Sequence, residues 1–149
     1  MAPRRGAVVV DTVSAGALIA PALAARGLDC VALITSEDLP AALTRSARRG
    51  DFIAWLTPGQ DLDAAADAVA PFDPVCVAPG NESAVALSEA LARRLGLRGN
   101  DPATTSWRRD KYAMIERLRA CGRRAAEQLR ASSLDALLAW RARAGVDWP

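Results

Sequence analysis

Apolar positions along this chain come in blocks separated by amphipathic stretches. Gly6 to Thr12 (GAVVVDT) is an unbroken β-branched run, the pattern of a strand buried on both faces of a parallel sheet. Val13 to Gly16 read as a turn, and Ala17 to Arg26 as a helix closed by Gly27. Pro21 lies inside that helix, so it kinks there or becomes regular only afterwards. Cys30 to Thr35 is a second apolar run, followed by a polar, helix-compatible stretch from Pro40 to Arg49. Asp51 to Leu56 is a third strand candidate, ended by Thr57, Pro58 and Gly59. Leu62 to Ala70 predicts a helix stopped by Pro71, and Pro74 to Ala78 a fourth strand. The helix from Glu82 to Leu95 carries Ala84, Leu87, Leu91 and Leu95 on one stripe.

Strand and helix alternating with short connections imply an α/β fold, an open and mostly parallel sheet with helices on both faces. In such sheets ligands gather at the carboxyl ends of the strands. Here those ends are Asp11 to Gly16, Thr35 to Asp38, Thr57 to Gly59 and Pro79 to Glu82.

The character changes after Asn100. Asp101 and Pro102 make an N-cap and first-turn pair. A helix is expected from about Trp107 to Cys121, ended by Gly122, and then a short strand over Ala125 to Ala131. Ser132 or Ser133 caps a last helix bearing Leu134, Leu137, Leu138 and Trp140 and stopped at Gly145. The chain closes on Val146, Asp147, Trp148 and Pro149, an extended beginning with nothing after it.

Composition narrows the functions without choosing one. The chain is 51% apolar and 24% charged, which is globular rather than disordered, and fits one domain or one plus part of a second. A net charge of +2 and arginine pairs with few interleaved aromatics argue against nucleic acid as a partner. Cys30, Cys76 and Cys121 match neither a disulfide framework nor a zinc site, and read as small hydrophobes. Histidine is absent, which removes histidine triads, bases and metal ligands. The apolar run after Met1 to Arg5 is interrupted by Asp11 and Ser14, so neither a signal peptide nor a membrane span is read, and the expected location is the cytoplasm.

Candidate chemistry centres on two places. The first strand, turn and helix (VVVDTVSAGALIA) has neither dinucleotide-binding nor P-loop glycine spacing. Ser14 and Gly16 there make a tight turn that also offers a small anion a helix N-terminus. A receiver domain is excluded because the third strand ends in Thr57-Pro58, with no acceptor aspartate. Glu82, beside Gly80 and Asn81, reads as a first-turn carboxylate complementing the helix dipole or as a grip on a substrate amine or water. Lys111 is the only lysine, every other basic side chain being arginine. Its compact ammonium suits a phosphate oxygen, although a lone lysine is also an ordinary surface charge.

Taken together, P-G-N-E-S-A-V-A-L-S-E-A-L-A-R-R-L-G-L-R-G-N (Pro79 to Asn100) and R-R-D-K-Y-A-M-I-E-R-L-R-A-C-G (Arg108 to Gly122) resemble the ATP-grasp carboxylate–amine ligases, in particular the amino-acid and dipeptide ligase branch of natural-product pathways. The resemblance covers nearly the whole chain. It implies a Rossmann-like N-terminal domain over residues 1–100, then over 101–149 a linker helix and the truncated start of the ATP-grasp domain. In such an enzyme ATP phosphorylates a carboxylate and an amine displaces the acyl phosphate.

By that resemblance Asp110 and Lys111 are the family's Asp-Lys pair, with Lys111 reaching the nucleotide phosphates. Glu82 then helps shape the substrate site, with Asn81 and Ser83 as companions and Ser14 at the neighbouring turn. The second ATP lysine, the glycine-rich lid and the carboxylates that hold Mg²⁺ have no counterpart in this sequence. One lysine cannot neutralise a triphosphate–Mg²⁺ complex, so no catalytic or metal-binding residue is assigned, and ATP and Mg²⁺ are expected to act only in the complete enzyme. The implied partners are the missing C-terminal half, on the same or another polypeptide, and small carboxylate and amine substrates, with a homodimer as a further possibility. The alternative is a non-catalytic module that docks a partner through a tail bearing Trp140 and Trp148.

Overall fold

The computed structural model describes residues 5–36, 38 and 41–145. Two compact units divide the chain, Met1–Thr105 and Ser106–Pro149. The first contains a four-stranded sheet of order β3-β2-β1-β4, formed by β1 (Gly6–Val10), β2 (Asp29–Leu33), β3 (Ala54–Leu56) and β4 (Pro74–Pro79), every pairing parallel. β1 is central and every one of its residues is buried, as its β-branched run requires.

The alternation of side chains along β1 feeds two cores. Val8 and Val10 meet Leu33, with Ala65, Ala66 and Val69 of α3 (Leu62–Val69) and Leu91 of α4 (Val85–Arg94). Ala7 faces the other way, toward Cys30 and Ala20 of α1 (Ile19–Ala24). Helices therefore cover both faces. The expected α4 stripe holds: Ala84 and Leu91 are fully buried, and Leu87 and Leu95 pack against the same core. A truncation such as Leu91→Ala would cost about 2–5 kcal/mol.

Several boundaries differ from the sequence reading, each for a local reason. The first helix opens as a 3-10 turn (Ser14–Leu18) and becomes regular at Ile19, which leaves Pro21 in the first α-turn, where its missing N–H removes no helical bond. The helix expected over 40–49 is only the single turn α2 (Ala41–Thr44). None of its residues is buried, and Ser46 turns its hydroxyl back onto the Leu43 carbonyl. Arg49–Asp51 coil into a 3-10 turn, so β3 begins at Ala54 rather than Asp51.

In the second unit the helix expected from Trp107 to Cys121 is two helices, α5 (Thr105–Arg109) and α6 (Lys111–Ala120). Asp110 breaks it: its backbone is extended and its carboxylate accepts the Ala113 N–H at 3.0 Å, capping α6. Gly122, at φ 68°, ends α6, with Arg123 N–H donating to the Leu118 carbonyl at 3.0 Å. The strand expected over Ala125 to Ala131 does not form. That run is tied to α6 by single contacts instead: Gln128 donates to the Tyr112 carbonyl, and Arg119 to that of Ala126. Ser133 caps α7 (Leu134–Ala144) through the Ala136 N–H at 3.2 Å. The closing residues 146–149, Trp148 among them, lie outside the described set. No helix among the described residues is long and apolar enough to cross a membrane.

Candidate functional site

Strand order reverses between β1 and β4, since β2 and β3 lie to one side of β1 and β4 to the other. That switch point is where an open α/β sheet offers a crevice. Here the two loops meet backbone to backbone. Gly80 N–H donates to the Val10 carbonyl at 2.7 Å, and Asn81 Nδ2 donates to the Asp11 carbonyl at 3.4 Å. Space opens on either side instead, around the carboxyl end of β2.

Asp11, 4% exposed, holds that end in place: its carboxylate accepts the Thr35 N–H and the Thr35 hydroxyl, each at 2.8 Å. Three cavities converge on the next residue, Ser36. One of about 440 Å³ runs from Thr35 and Gln60 to Ser83 and Leu87. One of about 300 Å³ lies toward Thr57 and Gly59. The third, also about 300 Å³, lies toward Val13, Thr44, Arg49 and Trp55.

The residues singled out in the sequence occupy this rim unequally. Ser14 is exposed at φ 55°, and its N–H donates to Ser46 Oγ at 2.7 Å, so a hydroxyl stands where an anion oxygen would sit. Asn81 Oδ1 accepts the Ser83 hydroxyl at 2.7 Å and the Ala84 N–H at 3.1 Å, which anchors the start of α4. Glu82 is exposed in the same loop. The loops carrying Ser14 and Asn81 are thus brought together, with Glu82 beside them.

Lys111 belongs to the second unit, where it is the first residue of α6 and exposed. Its neighbour Asp110 acts as a positioning group. Beyond capping α6, Asp110 accepts Arg130 Nη2 at 2.6 Å, and Arg130 lies over the Tyr112 ring at 4.7 Å. The Ala113 N–H and the Arg130 guanidinium hold the Asp110 carboxyl below the usual carboxylate range.

Thr35 and Ser36 both fall on the rim expected from the sequence (Thr35 to Asp38), whereas Gln60 and the Arg49–Trp55 pair do not. A signal for the last exists. Arg48 has Asp51 three residues on, 3.0 Å away, whereas Arg49 has no acidic residue three or four positions to either side.

No family profile matches the sequence, and no curated protein sequence matches it. Solved structures do. The L-amino acid ligase from Bacillus licheniformis aligns at TM-score 0.64 and 18% identity over 92% of this chain and 34% of its own. The N5-carboxyaminoimidazole synthetase from Staphylococcus aureus, complexed with ADP, aligns at 0.68 and 14% identity over 93% and 35%. An ADP complex of an N5-carboxyaminoimidazole ribonucleotide synthetase aligns at 0.65 and 13% identity over 96% and 36%. The fold is therefore that of the N-terminal part of ATP-grasp ligases, and the chain spans about a third of the length of the structures it matches.

Proposed function

We propose that this chain is the N-terminal part of an ATP-dependent carboxylate–amine ligase that works by way of an acyl phosphate and acts only together with an ATP-grasp half. The observation that carries the reading is the fold match across 92–96% of the chain, with the remaining two thirds of each matched structure unrepresented. On this reading residues 1–100 are the Rossmann-like domain and 101–149 the linker and opening of the ATP-grasp domain. The enzyme is cytoplasmic and belongs to amino-acid or natural-product biosynthesis.

The residues fit a partial nucleotide site. Lys111 is an exposed ammonium fixed at a helix start by the Asp110 cap, suited to one phosphate oxygen. ATP, when bound with Mg²⁺ in the complete enzyme, supplies the phosphoryl group that activates the acid. This chain's own part is to offer Lys111 to the phosphates and to shape the substrate side through Glu82, Asn81 and Ser14.

The test is an ATP–Mg²⁺ titration of this chain joined to the ATP-grasp half the reading requires, with and without Lys111→Ala. Loss of one charge-assisted contact should weaken binding about tenfold or more. Unchanged affinity overturns the assignment of Lys111.

A second reading, a non-catalytic module that docks a partner through its last helix, draws on one observation. Leu134, Leu137 and Leu138 of α7 are 67%, 45% and 49% exposed, an apolar stripe at helical spacing. A sedimenting monomer that captures no partner would dismiss it.

A further inference from the structure

We propose that the cavity lined by Arg49 and Trp55 is a binding site for a small monocarboxylic acid with an apolar body. Its walls are Val13, Ile34, Ala47 and the Trp55 indole, and two hydroxyl-bearing residues, Ser36 and Thr44, stand among them. The charge is Arg49. Its guanidinium carbon lies 4.7 Å from the centre of the Trp55 ring, and Phe52 braces that ring edge-on, with centroids 5.7 Å apart and planes at 82°.

Stacking engages the face of a guanidinium and leaves the N–H groups at its edge to other acceptors. Arg48, next in the chain, is paired with Asp51, whereas no carboxylate among the described residues pairs with Arg49. A planar, pre-oriented fork of donors at the rim of an apolar cavity is matched by a carboxylate, which takes two parallel hydrogen bonds. The stretch between the lining residues Thr44 and Ala47 is fixed as well: Ser46 accepts the Ser14 N–H at 2.7 Å and donates to the Leu43 carbonyl at 2.6 Å, tying it to the turn after β1.

Size and charge narrow the ligand. About 300 Å³ is at the small end of ligand pockets, room for a single aryl or alkyl acid rather than a nucleotide. Among the described residues none that lines the cavity is acidic, so they offer no match for the ammonium of a zwitterionic amino acid. That this acid is the one activated for amide formation rests on the proposed function. Its binding to the cavity does not.

The experiment titrates 3-phenylpropionate into the full chain and follows the tryptophan indole N–H signals by NMR, with Trp55 assigned through Trp55→Phe. A saturable shift of the Trp55 signal is expected. It should weaken about tenfold in Arg49→Gln, stay unchanged in Arg48→Gln, and vanish in Ala47→Leu, which fills the cavity. Circular dichroism verifies that each variant is folded. The uncharged 3-phenylpropanamide and zwitterionic L-phenylalanine should bind at least tenfold more weakly than the acid. No saturable shift, equal binding by Arg49→Gln, or equal binding of the amide or amino acid would overturn the proposal. Because no ATP enters the measurement, a failure of the ligase reading at Lys111 leaves this result standing, and the reverse also holds.

Discussion

Gly16 and Gly80 lie backbone against backbone at the carboxyl ends of β1 and β4: a β-carbon on Gly16 would stand 2.6 Å from Gly80 Cα. A β-carbon on Gly80 would fall 2.2 Å from the Asp11 carbonyl oxygen and 2.8 Å from that of Val10. Every one of these neighbours is main chain, so relief requires β1 and β4 to move apart. Gly80→Ala should therefore lower stability by about 3 kcal/mol, the upper range of overpacking. Gly50, where an added β-carbon would meet nothing within 4 Å, should tolerate alanine within about 0.5 kcal/mol. Urea unfolding of both variants checks this, and equal midpoints would contradict the close contact.

The same loop makes Asp11 sensitive to the kind of replacement. Asp11 has φ 55° and gives both carboxylate oxygens to Thr35. Asparagine tolerates the left-handed conformation and keeps an acceptor for the Thr35 N–H, so Asp11→Asn should cost about 1 kcal/mol. Alanine strands that N–H in a partly buried place and adds backbone strain, for about 3 kcal/mol in all. Both follow from urea midpoints, and a milder effect for alanine would show that the Thr35 contacts carry no weight.

What the sequence disclosed follows from the range of the forces involved. β1, β2 and β4 and the α4 stripe were legible because burial writes itself into runs and spacings of apolar residues. Thr35 entered the predicted rim for the same reason, as the end of an apolar run. The break at Asp110 depends on one carboxylate choosing an extended backbone, which a periodicity spanning Trp107 to Cys121 hides. The missing strand over 125–131 reflects the absence of a ladder neighbour among the described residues, a property no local propensity encodes. The Arg49–Trp55 stack joins residues six apart across a 3-10 turn and a strand start, so neither helical nor strand spacing announces it.

Acid should loosen the second unit first through two of its carboxylates, Asp110 and Glu116. Asp110 is held below its ordinary range by the Ala113 N–H and then Arg130, and Glu116 by Gln128 and then Arg119. A folded-state value below the unfolded one means that the unfolded chain takes up protons first as pH falls. The stabilisation is present above the ordinary carboxylate values of about 4 and is lost as pH drops through the lower folded values. Asp110→Asn retains a competent cap but cannot titrate. Its urea midpoint should lie below the parent's near neutral pH, where the charged pair with Arg130 is missing, and fall less steeply from about pH 5 to pH 3, so that the two converge in acid. Parallel pH profiles for the two proteins would show that Asp110 does not contribute.

The cysteines should divide sharply in reactivity. Cys30 and Cys76 both stand in register with Ala7, one on each side of it, so their backbones are two strand spacings apart, roughly 9–10 Å. That is too far for a disulfide without moving β1. Burial raises both thiols above their ordinary value, and for Cys30 the nearby Cys76 adds to it, so the reactive thiolate is scarce at either place. Cys121, at the exposed end of α6, has no such cover. A thiol-specific reagent at neutral pH should modify Cys121 rapidly and the other two only as the sheet opens, at a rate that rises with urea in step with unfolding. Rapid modification of all three in the native chain, or an intramolecular disulfide on mild oxidation, would mean that β1 does not separate and cover the pair as described.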